Sequence, residues 1–133
     1  MKKLLIVTAS YYPDISKKLK NRAIKTIEKF KFIDSYKEIS TSGVFEIPVT
    51  IARNIDSYDG VVALGCIIRG KTPHFELIAQ SVTEAILNLS ITYKKPIGNG
   101  ILTCLNKSQA IERIHKAEEA TIAVKKVLLS EVS

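Results

Sequence analysis

Apolar and polar residues fall into blocks along the chain, and the blocks change period. Residues 4–8 (Leu-Leu-Ile-Val-Thr) form a short apolar run that predicts a strand, followed by a turn carrying Pro13. Over 16–30 the apolar positions are Leu19, Ala23, Ile24, Ile27 and Phe30, the three-and-four spacing of an amphipathic helix. A weaker segment over 32–40 predicts a second strand. Ser42-Gly43 then breaks the chain, and 45–55 reads as a helix that tolerates Pro48 only near its first turn. The run Gly-Val-Val-Ala-Leu-Gly-Cys at 60–66 lacks polar alternation, as a parallel strand covered on both faces requires. Thr72 as capping hydroxyl and Pro73 at the first helical position open the next helix. Its stripe is Phe75, Ile78, Ala79, Val82, Ile86 and Leu89. A fourth strand is expected over 96–103, and one or two closing helices from about residue 107.

This alternation predicts an α/β fold: a three-layer open sheet of four strands, mainly parallel, with helices on both faces in a flavodoxin-like arrangement. No linker or repeat divides it, so residues 1–133 read as one domain. Open sheets of this kind bind ligands beyond the carboxyl ends of their strands. That rule selects the loops at 9–14, 41–46, 66–74 and 104–107.

Composition narrows the class. Hydrophobic residues make up 46% of the 133 and charged residues 25%, which excludes disorder and low-complexity chains. The longest apolar run, 61–68, is interrupted by Gly65 and falls far short of the ~20 residues a spanning helix needs. No membrane association is expected. The N-terminal Lys2-Lys3 and the apolar run after them imitate a signal peptide, but no small-residue cleavage site follows, so a cytoplasmic location is expected. Cys66 and Cys104 are too few for a disulfide framework or a metal site, and both are expected to be buried and reduced.

The excess of twenty Lys and Arg over thirteen Asp and Glu gives a net charge of +7, which invites anionic partners. Lys17, Lys18, Lys20, Arg22, Lys25, Lys29 and Lys31 cluster with a single acid, Glu28. Aromatics do not interleave with the charges between residues 17 and 29, so a solvated helix face is expected rather than a nucleic-acid surface.

Candidate chemistry concentrates between Gly65 and His74. Gly65 to Thr72 satisfies the G-x-x-x-x-G-K-[ST] pattern of a nucleoside-triphosphate loop. The bulky Ile67-Ile68 at its centre and the absence of any aspartate after Asp59 to hold magnesium argue against that reading. The underlying physics survives: Gly70 permits close approach, and the helix beginning near Lys71 and Thr72 turns free N–H groups toward an anion such as a phosphate ester. His74 falls in that helix's first turn. The positive end of a helix disfavours imidazolium, which leaves a ring able to accept a proton beside the anion pocket. His115 has no such setting and reads as a surface residue.

Three stretches carry a resemblance: Gly43-Val44-Phe45-Glu46-Ile47-Pro48, then Ala63 through Glu76 with its Gly-Lys-Thr-Pro-His core, then Ile111-Glu112-Arg113. Together the chain resembles the 6,7-dimethyl-8-ribityllumazine synthases over almost its whole length. The resemblance implies a transferase of riboflavin biosynthesis. It would condense 5-amino-6-(D-ribitylamino)uracil with 3,4-dihydroxy-2-butanone 4-phosphate, without metal or organic cofactor. It further implies homopentamers, or pairs of pentamers, with sites between neighbouring subunits, and riboflavin synthase as a partner.

By the same resemblance His74 corresponds to the catalytic histidine. Lys71, Thr72 and Arg113 correspond to the phosphate site, with Arg113 reaching in from the adjacent subunit. Val44, Phe45 and Glu46 match the segment that holds the ribityl chain, and Cys66, Ile67 and Ile68 the segment whose backbone reads the pyrimidine edge. Tyr11 stands where an aromatic stacks on the pyrimidine ring, and Lys116 matches a lysine near it. Asn99 replaces the Phe of many members at the subunit contact and is grouped with the pyrimidine and ribityl contacts by the same resemblance. The turn between Arg113 and Lys116 is shorter than in many relatives and lacks the Gly/Lys-rich segment of sixty-subunit shells, so a free pentamer or a pair of pentamers is expected. The competing readings are a non-catalytic lumazine or flavin binder on the same fold and, more remotely, a P-loop NTPase.

Overall fold

The computed structural model describes residues 2–71 and 73–130. Its elements run β1 (Lys2–Ala9), α1 (Pro13–Glu28), β2 (Ile33–Thr41), α2 (Ile47–Asn54), β3 (Gly60–Ile68), α3 (His74–Tyr93), β4 (Ile97–Cys104), α4 (Lys107–Glu112) and α5 (Lys116–Leu128). Short 3-10 turns, Val44–Glu46 and Ile55–Ser57, flank α2.

The four strands form one sheet in the order β2-β1-β3-β4, and every pairing is parallel. The sheet is thus wholly rather than mainly parallel. The central strands explain this: Leu4, Leu5, Ile6 and Val7 of β1 and Val61, Val62, Ala63 and Leu64 of β3 are all buried, so both faces need covering. Crossover helices supply the cover. One core layer joins Leu4, Ile6, Val62 and Leu64 to Ile15, Leu19 and Ala23 of α1 and Ala117, Ala120 and Val124 of α5. The opposite layer joins Leu5, Val7, Val61 and Ala63 to Ile47 and Ile51 of α2 and Val82 and Ile86 of α3. Each fully buried Leu, Ile or Val contributes about 1.5–3 kcal/mol, which makes the two central strands the main source of cohesion.

Gly98 on β4 shows how closely the layers meet. A Cβ there would stand 2.3 Å from the carbonyl oxygen of Ala120, so glycine is what lets α5 lie directly on the strand. Cys66 and Cys104 are buried and free, as expected.

Three helix starts differ from expectation. The helix expected over 45–55 is an α-helix only over Ile47–Asn54, with Pro48 in its first turn, because the residues before it wind more tightly as a 3-10 turn. α1 begins at Pro13, three residues early, because proline's fixed φ suits the first helical position. α3 begins at His74, one residue late, with Pro73 as N-cap rather than first helical residue and no side-chain cap. The capping role expected of Thr72 falls outside the described residues.

Candidate active site

The strand order places a switch point between β1 and β3, where the chain leaves β1 in one direction and later returns on its other side. A cleft of about 470 Å³ opens there, at the carboxyl ends of the strands. Tyr11 and Tyr12 line it from the loop after β1, and Ser42, Gly43, Val44, Phe45 and Glu46 from the segment after β2. Cys66, Ile67 and Ile68 enter from the end of β3, and His74 and Ile78 from the first turns of α3.

Local contacts explain why these segments converge. The Ser10 N–H donates to the Thr41 carbonyl at 2.9 Å, tying the end of β1 to the end of β2. The Thr41 hydroxyl donates to the Gly43 carbonyl at 2.9 Å and turns the chain into the 3-10 segment. At Gly43 a Cβ would lie 3.0 Å from Glu46 Oε1, so the glycine leaves room for that carboxylate at the cleft wall. Val44 is buried and anchors the segment, whereas Phe45 and Glu46 remain exposed toward the cleft. An acidic acceptor beside an apolar ring suits a ligand that carries hydroxyl groups next to apolar surface.

Tyr11 and Tyr12 pack edge to face, with ring centroids 4.9 Å apart and planes at 79°. Tyr11 is 71% exposed, while Tyr12 is half-buried against the core layer of α1 and α5. Burial, with Tyr11 and Cys66 beside it, raises the Tyr12 phenol above its ordinary value. Burial also pushes the Cys66 thiol up to about 12, assisted by the neighbouring Cys104. Cys66 therefore stays a neutral thiol, unsuited to nucleophilic attack, and only its backbone and its bulk are available to a ligand.

The turn between β3 and α3 is short. The Arg69 N–H donates to the Cys104 carbonyl at 2.9 Å, and the Arg69 guanidinium lies 3.5 Å from Glu76 Oε1. Lys71 is exposed, three residues before the start of α3. Gly65 to Ile68 belong to β3, so half of the apparent nucleotide-loop pattern is sheet and cannot wrap a phosphate. That removes the structural basis of the P-loop reading.

Arg113, Asn99 and Lys116 do not join the His74 cleft. They line a second one of about 550 Å³, with Thr83, Thr103, His115 and Glu119. There the Arg113 guanidinium donates to the Thr103 carbonyl at 3.2 Å, and the tight turn between α4 and α5 sets Arg113 and Lys116 side by side through the Lys116 N–H to Arg113 carbonyl bond at 3.0 Å. Asn99, grouped with the pyrimidine and ribityl contacts by resemblance, lies on this second wall. His115 is exposed as expected, with Nε2 4.0 Å from Glu119 Oε1.

Tyr12 and Ile78 line the first cleft without having been singled out in the sequence. Both carried a usable trace: Tyr12 immediately precedes the helix-opening Pro13, and Ile78 follows His74 by one helical turn. Among the described residues no group of three or more His, Cys, Asp or Glu could hold a metal ion, and no helix is long and apolar enough to cross a membrane.

A four-stranded parallel α/β sheet whose carboxyl-end loops gather an imidazole, an acidic acceptor and an edge-to-face pair of aromatic rings defines a small-molecule enzyme of the flavodoxin-like architecture. Comparison with known proteins narrows this. Residues 1–130 match the 6,7-dimethyl-8-ribityllumazine synthase family. The chain is 45% identical over 113 residues to the 6,7-dimethyl-8-ribityllumazine synthase of Bartonella tribocorum, covering 83% of this chain and 74% of the relative. Over 120 residues it is 42% identical to that of Bartonella bacilliformis, covering 87% and 78%. Against the Agrobacterium fabrum enzyme of the same name it is 37% identical over 123 residues, covering 87% and 82%. The chain belongs to the 6,7-dimethyl-8-ribityllumazine synthase family.

Proposed function

We propose that this chain makes 6,7-dimethyl-8-ribityllumazine from 5-amino-6-(D-ribitylamino)uracil and 3,4-dihydroxy-2-butanone 4-phosphate, as a cytoplasmic enzyme of riboflavin biosynthesis. The observation that carries the reading is the convergence of Tyr11, Val44 to Glu46, Cys66 to Ile68 and His74 on one cleft. The pyrimidine stacks on Tyr11, its edge meets the backbone of Cys66 to Ile68, and Glu46 accepts from ribityl hydroxyls. The primary amine and the ketone form an imine with loss of water. Phosphate leaves by elimination, and ring closure releases a second water. His74 takes the proton given up in the elimination and returns one during closure.

The phosphate is held by backbone groups at Lys71 and Thr72 and by Arg113, whose planar fork matches phosphate oxygens. His74, on the first cleft, and Thr83, on the second, are nine positions apart on α3, about 13 Å of helix. That separation favours His74 and Arg113 reaching one substrate from different copies. On this reading the site is shared, with Arg113, Lys116 and Asn99 supplied by the neighbour in a homopentamer or a pair of pentamers. The outer face of α3 supports such assembly: Leu77, Leu87 and Ile91 are 62%, 57% and 65% exposed. A riboflavin synthase would consume the product as a partner enzyme.

The test is to mix purified protein with both substrates and follow lumazine absorbance and inorganic phosphate. Equimolar appearance of the two supports the proposal. Tight binding of a lumazine or flavin without turnover would replace it with the binding-module reading.

A further inference from the structure

We infer that Tyr12 is a positioning residue for the pyrimidine substrate, acting through Tyr11. The inference rests on the reading above, in which Tyr11 is the stacking platform.

Tyr11 cannot hold its own ring still. It is 71% exposed and sits in a loop, so its side chain has several rotamers of similar energy unless something selects one. Tyr12 supplies the selection. Its ring meets Tyr11 at 79° with centroids 4.9 Å apart, the arrangement in which the positive edge of one ring faces the negative face of the other. Tyr12 is itself fixed on two sides. Its ring packs on the α1–α5 core layer, and Pro13 keeps its backbone out of the helical region, with φ −112° and ψ 89°. Its carbonyl accepts from the Ser16 N–H at 2.9 Å, which welds it to the first turn of α1. A rigid ring standing across a mobile one sets the plane on which a flat heterocycle can lie.

The interaction is between rings, so the phenol oxygen is dispensable and the aromatic face is not. Such pairs are worth about a 2- to 12-fold change in an equilibrium. Tyr12→Leu keeps apolar bulk and removes the ring; Tyr12→Phe keeps the ring. Both are measured in the full-length protein alone and combined with Tyr11→Ala, with steady-state constants for each substrate. Tyr12→Leu is expected to raise KM for the pyrimidine by about 2- to 12-fold. It should leave kcat and the KM for the phosphate substrate unchanged, and Tyr12→Phe should match the parent. On the Tyr11→Ala background, Tyr12→Leu should add nothing further.

A fall in kcat, or equal rises in both KM values, would make Tyr12 a structural residue and overturn the inference. So would an undiminished Tyr12→Leu effect on the Tyr11→Ala background. If Tyr11→Ala itself left the pyrimidine KM untouched, the stacking role of Tyr11 would be wrong, which is a distinct failure from Tyr12→Leu being silent while Tyr11→Ala is damaging.

Discussion

Mixing two inactive variants should restore activity, by an amount that the geometry fixes. His74 and Arg113 line different clefts, and Thr83, the α3 residue on the Arg113 cleft, lies about 13 Å along the helix from His74. If each working site draws His74 from one copy and Arg113 from the next, two singly altered chains can complete each other. His74→Ala removes a proton-transfer group and should lower kcat by about 10²-fold. Arg113→Ala removes charge-assisted hydrogen bonds worth about 1.5–3 kcal/mol, which lowers kcat/KM for the phosphate substrate by roughly 10- to 150-fold. Each variant alone thus retains about a tenth of the activity or less. When the two are co-expressed in equal amounts, each head-to-tail interface takes its histidine from either chain at random and its arginine likewise. About a quarter of interfaces then carry both native residues, and the same fraction carries neither. The assay is lumazine formation at a phosphate-substrate concentration below KM, compared with the two variants mixed without subunit exchange. Recovery of about a quarter of the parental rate is expected. A co-expressed sample no more active than the mean of its parents would refute the shared site.

Other consequences are simpler to read. Gly98→Ala should destabilise by about 1–3 kcal/mol in urea unfolding, because its methyl group would press on the Ala120 carbonyl and push α5 off β4. An aspartate at Leu87 or Ile91 on the outer face of α3 should lower the sedimentation mass toward one chain while circular dichroism stays unchanged. Cys66 gives a pH signature. Its thiol is pushed to about 12 in the fold from an ordinary 9.0, so the unfolded chain loses that proton first and stability falls as pH rises from 9 toward 12. In Cys66→Ala that part of the alkaline loss should disappear, as read by unfolding midpoints across the same range.

The sheet was readable because its signal is strong and local. An uninterrupted apolar run such as 60–66 has few fates in a short chain with helical segments around it, and β3 forms over Gly60–Ile68. Boundaries were less readable where proline allows neighbouring solutions: Pro13 starts α1 earlier than the apolar stripe does, and Pro73 ends up just outside α3. The candidate site divides in the same way. His74 was legible from residue type and position, since a histidine opening a helix beside a Gly-Lys loop has a chemical reason to be there. Arg113 was legible only through the family resemblance, because an exposed arginine at the end of the six-residue α4 looks like any solvated helix end. The role proposed for it belongs to a neighbouring copy, and no local pattern encodes that. Tyr12 escaped because the proline after it reads first as a helix-start mark.

The helix that opens with His74 also carries the chain's clearest unmet need for cover. α3 is twenty residues long, yet only Val82 and Ile86 are buried against the sheet, while Leu77, Leu87 and Ile91 face outward. A helix apolar on two sides belongs in the interior of something larger than its own domain. Here one side is closed by β3 and β4, and the other is open. Covering that face with a second copy would remove apolar area from water at about 25 cal/mol per Å², a driving force that does not depend on any substrate. Thr83, farther along α3, stands on the wall of the Arg113 cleft, so the same helix borders both clefts. A copy seated on it would be placed to bring its Arg113 toward the neighbour's His74. On the proposed reading assembly and catalysis would share one helix, and Leu77, Leu87 and Ile91 would serve turnover by holding the copies together.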